Sequence, residues 1–303
     1  DAQNAMSTAK PWTYWWWMGS AVDTANIKVQ LDYFAKAGLG GVHIIPIYGA
    51  RGFESKFLPF MSEKWLELVH FTQNHAHSLG LGVDITLGTG WPYGGPMINQ
   101  NSAAAALEKF EVVFLATDSL RISSDSLKIK TFPLGILGAK AENERGEIIW
   151  LDLDEKKKVS LHFVPKGNWK VSIWGVKPTG QKVKRAAPGG EGLVMDYFNE
   201  ESVLHYLNYF DSVLIKHPGT LNPRAFYHDS YEVFGADWTK NLLSAFEERK
   251  NYSLLPYLGV LKDTSHVDFP YVMCDIREVI SDLLYESFGS KWTEWVKNNK
   301  SLS

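Results

Sequence analysis

The chain has 303 residues, 45% hydrophobic and 21% charged, enough for one large α/β domain or two smaller ones. A net charge of −3 gives no support to a nucleic-acid partner, and no apolar run approaches the roughly 20 residues that span a bilayer. The single cysteine, Cys274, excludes an internal disulfide and any multi-cysteine metal site.

Residues 12–18 (Trp-Thr-Tyr-Trp-Trp-Trp-Met) are a β-prone apolar run ended by Gly19, and they predict a buried strand. Ile27, Leu31, Phe34 and Ala37 then recur at helical spacing, with Gly38 as the stop. Residues 40–46 predict a second buried strand. Ser62 caps a helix through Ser78, with Trp65, Leu66, Val69 and Leu79 on its apolar side. Residues 81–87 predict a third strand. This alternation implies a parallel sheet with right-handed crossovers.

From about residue 107 to 187 the helical period disappears. Short β-prone runs replace it, at 110–115, 127–131, 148–153, 159–164 and 169–176, separated by polar turns. They predict a small antiparallel β-domain inserted at 107–190. The basic stretch 177–192 reads as its return linker, and Lys156-Lys157-Lys158 as a solvated turn. Helical spacing resumes over 200–216. A fourth strand is expected at 225–230 and helices at 238–250 and 271–288, before an aromatic, basic segment at 291–300. The expected fold is α/β: a partial (β/α)8 TIM-type barrel, about its first four β/α units, in residues 1–106 and 191–303. A closed barrel needs twice as many units. The chain therefore reads as the N-terminal portion of a longer enzyme.

The chemistry concentrates at strand ends. Tyr227-His228-Asp229-Ser230-Tyr231-Glu232 ends the fourth predicted strand in two carboxylates set among aromatic rings. In (β/α) barrels this end faces the active site. A carboxyl buried between rings is placed for a raised pKa and for proton donation, which glycosidic cleavage requires. Gly88-Thr89-Gly90-Trp91-Pro92-Tyr93-Gly94-Gly95-Pro96 follows the third strand. It lacks the Gly-Lys-Ser/Thr of a phosphate loop and the spacing of a dinucleotide fingerprint. It suits a pyranose subsite presenting Trp91, or a structural turn. The 12 Trp, 13 Tyr and 16 Phe are mostly core filling, but aromatic faces also pack on sugar C–H faces. His75 and His77 fall on different helix faces, and no His-Glu-x-x-His occurs, so a zinc site is not expected.

Residues 12–19, Gly40-Gly41-Val42, the 88–96 loop and Asp229-Ser230-Tyr231-Glu232 together resemble the α-L-rhamnosidases of glycoside hydrolase family one hundred and six. Asp237-Trp238-Thr239 and the helix with Arg277 and Asp282 are similar to that family as well. The resemblance implies a catalytic (β/α)8 barrel with β-rich accessory domains and inverting hydrolysis of terminal α-L-rhamnosides on pectin or related glycans. It also implies calcium near the active site. Glu232 matches the general acid. Asp229 is then expected to orient it or bind sugar hydroxyls, Trp91 and Trp16 to shape the subsite, and His43 and His228 to contact hydroxyls.

Inversion needs a second carboxyl about 6.5–9.5 Å away. It is expected beyond residue 303, with Glu54 and Asp84 as the nearest candidates within the chain. The expected partners are a glycan substrate and the C-terminal remainder of the same enzyme, and the expected location is secreted, periplasmic or at a bacterial cell surface. Two alternatives stay open. One is a carbohydrate-binding scaffold without chemistry. The other is a retaining glycosidase with carboxyls about 5–5.5 Å apart.

Overall fold

The computed structural model describes residues 9–116, 120–123, 132–156, 158–160 and 162–303. These fall into two units. One takes in Asp1–Ala103, Gly180–Phe234 and Tyr285–Ser303, the other Ala104–Thr179 and Gly235–Leu284. The first unit is built on a parallel sheet of β1 (Trp12–Met18), β2 (Gly41–Ile47), β3 (Gly82–Thr86) and β4 (Ala225–Tyr227), hydrogen-bonded in that order. Helix α1 (Thr24–Lys36) follows β1 and α2 (Glu63–Ser78) follows β2. Helix α3 (Glu200–Lys216) precedes β4, and α4 (Lys291–Asn298) comes last. The Asp23 carboxylate accepts from the Asn26 N–H at the start of α1, and the Ser62 hydroxyl from the Trp65 N–H at the start of α2.

Successive side chains of a strand point to opposite faces. Trp15, Trp17, Ile44, Ile85 and Phe226 turn toward the helices and are buried. Trp15 meets Phe34 of α1 edge-on at 5.7 Å, Trp17 meets Trp65 of α2 at 6.1 Å, and Phe226 meets Trp295 of α4 at 5.2 Å. The other face carries Trp12, Tyr14 and Trp16 of β1, His43 of β2, Asp84 and Thr86 of β3, and Tyr227 of β4, as the parallel register requires. Tyr14, Trp16 and Tyr227 on this face are 57%, 44% and 40% exposed. Beyond β4, Leu302 adds one more parallel bridge, to Ala225.

At the N-terminal end of this face the Trp12 ring lies across two strands that carry no side chain there. A Cβ placed on Gly82 would come within 2.3 Å of the ring, and the three atoms nearest to it all belong to Trp12. The Arg224 guanidinium lies over the same ring, 4.2 Å from its centre. Gly82→Ala is therefore expected to cost about 1–3 kcal/mol by overpacking. In a Trp12→Ala background the same change should cost far less. Urea unfolding of the four proteins measures both values, and equal costs would rule out the ring as the cause.

The second unit holds a four-stranded antiparallel sheet in the order Ala105–Ala116, Gly167–Pro178, Ile136–Asn143, Ile148–Leu151. Ala139, Ala141, Val164, Trp169, Val171 and Ile173 form its core. The expected runs 110–115, 148–153 and 169–176 map onto these strands, and 159–164 onto the short strand His162–Val164. The run 127–131 lies outside the described residues. Ile136–Asn143 was not anticipated, because only Ile136, Ala139 and Ala141 of its residues are buried and two of these are small.

The helices Leu242–Lys250 and Phe269–Leu283 also belong to this unit. The first starts later than the expected residue 238, because Trp238 bridges Ala105 and its N–H donates to the Ala105 carbonyl. The second ends at Leu283, where wider π-helical turns (Leu284–Ser290) replace the expected continuation. The fourth strand also ends early, at Tyr227, so residues 228–230 leave the sheet.

Candidate active site

Loops after β2, β3 and β4 meet the segment returning at residues 180–194 over the C-terminal end of the parallel sheet. The Gly90 N–H donates to the Pro46 carbonyl and the Tyr48 N–H to the Arg185 carbonyl. Trp91 and Lys184 exchange two backbone bonds of 3.1 and 2.8 Å. Gly94–Gly95 pairs antiparallel with Leu193–Val194. The glycines of the 88–96 loop are thus needed for close backbone approach: a Cβ on Gly90 or Gly94 would strike the returning chain. The stretch expected to be a linker is one wall of the site.

Glu232 is fixed by that wall. Its carboxylate lies 2.9 Å from Lys184 Nζ and accepts from Ser230 Oγ at 3.1 Å. Gln181 clamps the same turn, donating to the Glu232 carbonyl and accepting from the Phe234 N–H, both at 2.7 Å. Lys184 also lies 4.6 Å from the centre of the Phe234 ring. The Lys184 ammonium, then Ser230 and Trp91, hold the Glu232 carboxyl below its usual range. This corrects the expectation of a raised pKa. The side chain is 37% exposed rather than enclosed by rings, and a cation outweighs its desolvation.

His43 lies on the open sheet face, 6% exposed, with Nε2 2.9 Å from Thr86 Oγ1 and its ring 4.6 Å from Tyr227. Burial lowers its pKa to about 4, so it is neutral at pH 7. The Tyr14 ring lies 5.3 Å from that of His43, and a hydrogen bond between Tyr14 and Tyr227 pushes the Tyr227 phenol up. His228 leaves the strand end in another direction. It packs against Tyr93 (4.6 Å) and Phe288 (4.7 Å), with Nε2 3.2 Å from the Tyr197 hydroxyl. Burial lowers its pKa to about 4 as well. Tyr93 donates to the Tyr227 carbonyl, while the Tyr197 hydroxyl accepts from the Tyr93 N–H, so these rings staple the 88–96 loop to the end of β4.

A family model described as α-L-rhamnosidase, glycoside hydrolase family 106, matches residues 3–114 and 149–301. The chain belongs to this family. A protein of Formosa agariphila, named provisionally as a β-glucuronidase, is 25% identical over 337 aligned positions, covering 96% of this chain and 29% of its own length. The structure of a rhamnosidase from Novosphingobium sp. PP1Y superposes with a TM-score of 0.71 at 15% identity, covering 99% of this chain and 46% of that one. The chain thus spans less than half the length of either.

Within this rhamnosidase-family fold, Glu232, Asp229, Trp91 and Lys184 are brought together through hydrogen bonds, directly or through Ser230, whose N–H donates to Asp229 Oδ1 at 2.7 Å. Trp16 and His43 lie on the aromatic sheet face, and His228 is packed among rings. Asp84 is committed to Arg224, which reaches it through Nε at 3.0 Å and through its terminal nitrogen. Glu54 caps its own turn by accepting from the Gly52 N–H. Neither is aimed at Glu232 by these bonds. Calcium takes six to eight oxygen ligands. Among the described residues no three His, Cys, Asp or Glu side chains converge to hold an ion, and no step is assigned to calcium. No helix of the described residues is long and apolar enough to cross a membrane. Lys184, Tyr14 and Tyr197 were missed as site residues. The only trace of Lys184 was the basic character of the 177–192 stretch.

Proposed function

We propose that the chain is the acid-bearing part of a secreted or periplasmic glycoside hydrolase that removes terminal α-L-rhamnosyl-type sugars with inversion, on a (β/α)8 barrel whose first four strands are β1–β4. The observation that carries this is the placement of Glu232 just past the end of β4, paired with Lys184 and accepting from Ser230. Glu232 protonates the departing glycosidic oxygen. A water deprotonated by a second carboxylate, supplied by the remaining length of the enzyme, attacks the anomeric carbon from the opposite side. Asp229 orients Glu232 through Ser230. Trp91 and Trp16 pack on the sugar, while His43 and His228, both neutral, hold the rings that shape the subsite.

Residues 1–303 alone are expected not to turn over an aryl α-L-rhamnoside. In an enzyme carrying this chain with the rest of the family's length, Glu232→Gln should abolish turnover of a poorly activated rhamnoside, and proton NMR of the first product should show the inverted anomer. Full turnover by Glu232→Gln would exclude the acid role. A retained anomer would exclude inversion.

A further inference from the structure

For Glu232 to donate a proton it must first gain one, and Lys184 opposes that. Lys184 is the charged group facing its carboxylate. The Trp91 indole approaches from the β3 loop and the Ser230 hydroxyl from its own turn, both neutral, with Asp229 behind Ser230. Among the described residues no other anion forms an ion pair with Lys184. The adjacent residue, Arg185, is a second cation on the same returning segment. Its guanidinium sits 4.9 Å from the centre of the exposed Tyr48 ring, at the end of β2, and has no ion-pair partner among the described residues. Arg185 is also held at φ +58, a left-handed conformation that costs an L-residue free energy and persists only where its surroundings impose it. Here the Tyr48 N–H bond to its carbonyl contributes to imposing it. Lys184 and Arg185 are thus neighbouring cations of the returning segment, the first reaching Glu232 past the end of β4 and the second Tyr48 past the end of β2.

We propose that the sugar next to the scissile bond carries a carboxylate, as a uronic acid does, and that Arg185 and Lys184 bind it together. The substrate carboxylate takes over Lys184, Glu232 loses its counter-ion, and its carboxyl picks up a proton from solvent. Recognition of an acidic sugar and arming of the acid are then one event. A neutral sugar leaves the Lys184–Glu232 pair closed. Arginine suits this role because its planar donors match a carboxylate in two-pronged geometry.

The inference rests on Glu232 being the acid, and its test is separable from that role. Residues 1–303 with 13C-labelled glutamate are titrated with the sodium salt of methyl glucuronoside and, separately, with methyl glucoside, with Glu232→Gln assigning the carboxyl resonance. The uronide is expected to bind about tenfold more tightly than the glucoside, the size of one charge-assisted pair. It should also move the Glu232 titration to higher pH, and the glucoside should not. Arg185→Gln, a change at an exposed side chain, should erase the preference. Equal affinity for the two sugars, an unmoved Glu232 titration, or an undiminished preference in Arg185→Gln would each overturn the proposal. If uronide binding behaves as expected but Glu232→Gln retains turnover in the longer enzyme, the acid role fails and the carboxylate site stands.

Discussion

Stability is expected to fall between pH 6.5 and 4 by about 3 kcal/mol for each of two histidines, His43 and His228, whose pKa values are lowered from 6.5 to about 4. Both are lowered by burial, which removes water from the imidazolium more than from the neutral ring. The unfolded chain takes up protons at these positions near pH 6.5, whereas the folded chain resists until about pH 4. Between those values the unfolded state binds more protons, so stability rises with pH across the window. It is at full strength above 6.5 and lost below 4.

The carboxylates lowered by partners act in a different range. Asp275 is held down first by Tyr252, Asp263 by Ser265 and Glu111 by Lys109, from ordinary values of 3.8, 3.8 and 4.5. Their contributions vanish only as pH falls below those ordinary values. A domain is stable by about 5–15 kcal/mol in total, so the histidine loss alone is a large part of it. Urea midpoints from pH 7.5 to 4 measure the slope. His228→Phe keeps an aromatic ring in the pocket and removes the proton site, so it should remove about half of the slope whatever it does to stability at pH 7. An unchanged slope would mean that these histidines are not the titrating groups.

The parallel framework was legible because its signals are strong and local. The aromatic run of β1, the glycine-bounded runs of β2 and β3, and the spacing of Val203, Leu207 and Phe210 each point to one element, and α3 spans Glu200–Lys216 as the period indicates. The position of Glu232 past the end of a strand was legible for the same reason. Its electrostatics were not. The residue that decides them, Lys184, is 48 positions away in sequence, in a Gly/Pro-containing stretch with no period of its own. That stretch becomes ordered by pairing with the 88–96 loop, a non-local match that neither segment announces. His228 shows a related limit. Strand alternation would have set its direction, but the strand ends one residue earlier, and its ring turns into the Tyr93, Tyr197 and Phe288 cluster. Phe288 comes from a π-helical stretch that an unbroken helical pattern concealed.

Gly90→Ala is expected to cost about 3 kcal/mol or more and to undo the candidate site as well. Two separate demands meet at Gly90. Its φ is +53, and an added Cβ would lie 1.8 Å from the Lys184 carbonyl oxygen and 2.8 Å from the Arg185 carbonyl carbon. Both atoms are backbone, so no side-chain rotation can relieve the contact. The two Trp91–Lys184 backbone bonds must open instead. Gly52 separates the two demands, because it has φ +85 but nothing within 4 Å of an added Cβ. Gly52→Ala should therefore show the conformational cost alone, about 1 kcal/mol. The consequence for function follows from which bonds open. Once Lys184 moves away, Glu232 loses the cation that chiefly holds its pKa down, so its carboxyl titration should move up toward its ordinary value of 4.5 in Gly90→Ala and stay low in Gly52→Ala. Carbon-13 titration of the two variants beside the parent distinguishes the cases. A Gly90→Ala protein that unfolds at the parent's urea midpoint, or one that is destabilised while Glu232 titrates as before, would show that the Trp91–Lys184 pairing does not hold the acid in place.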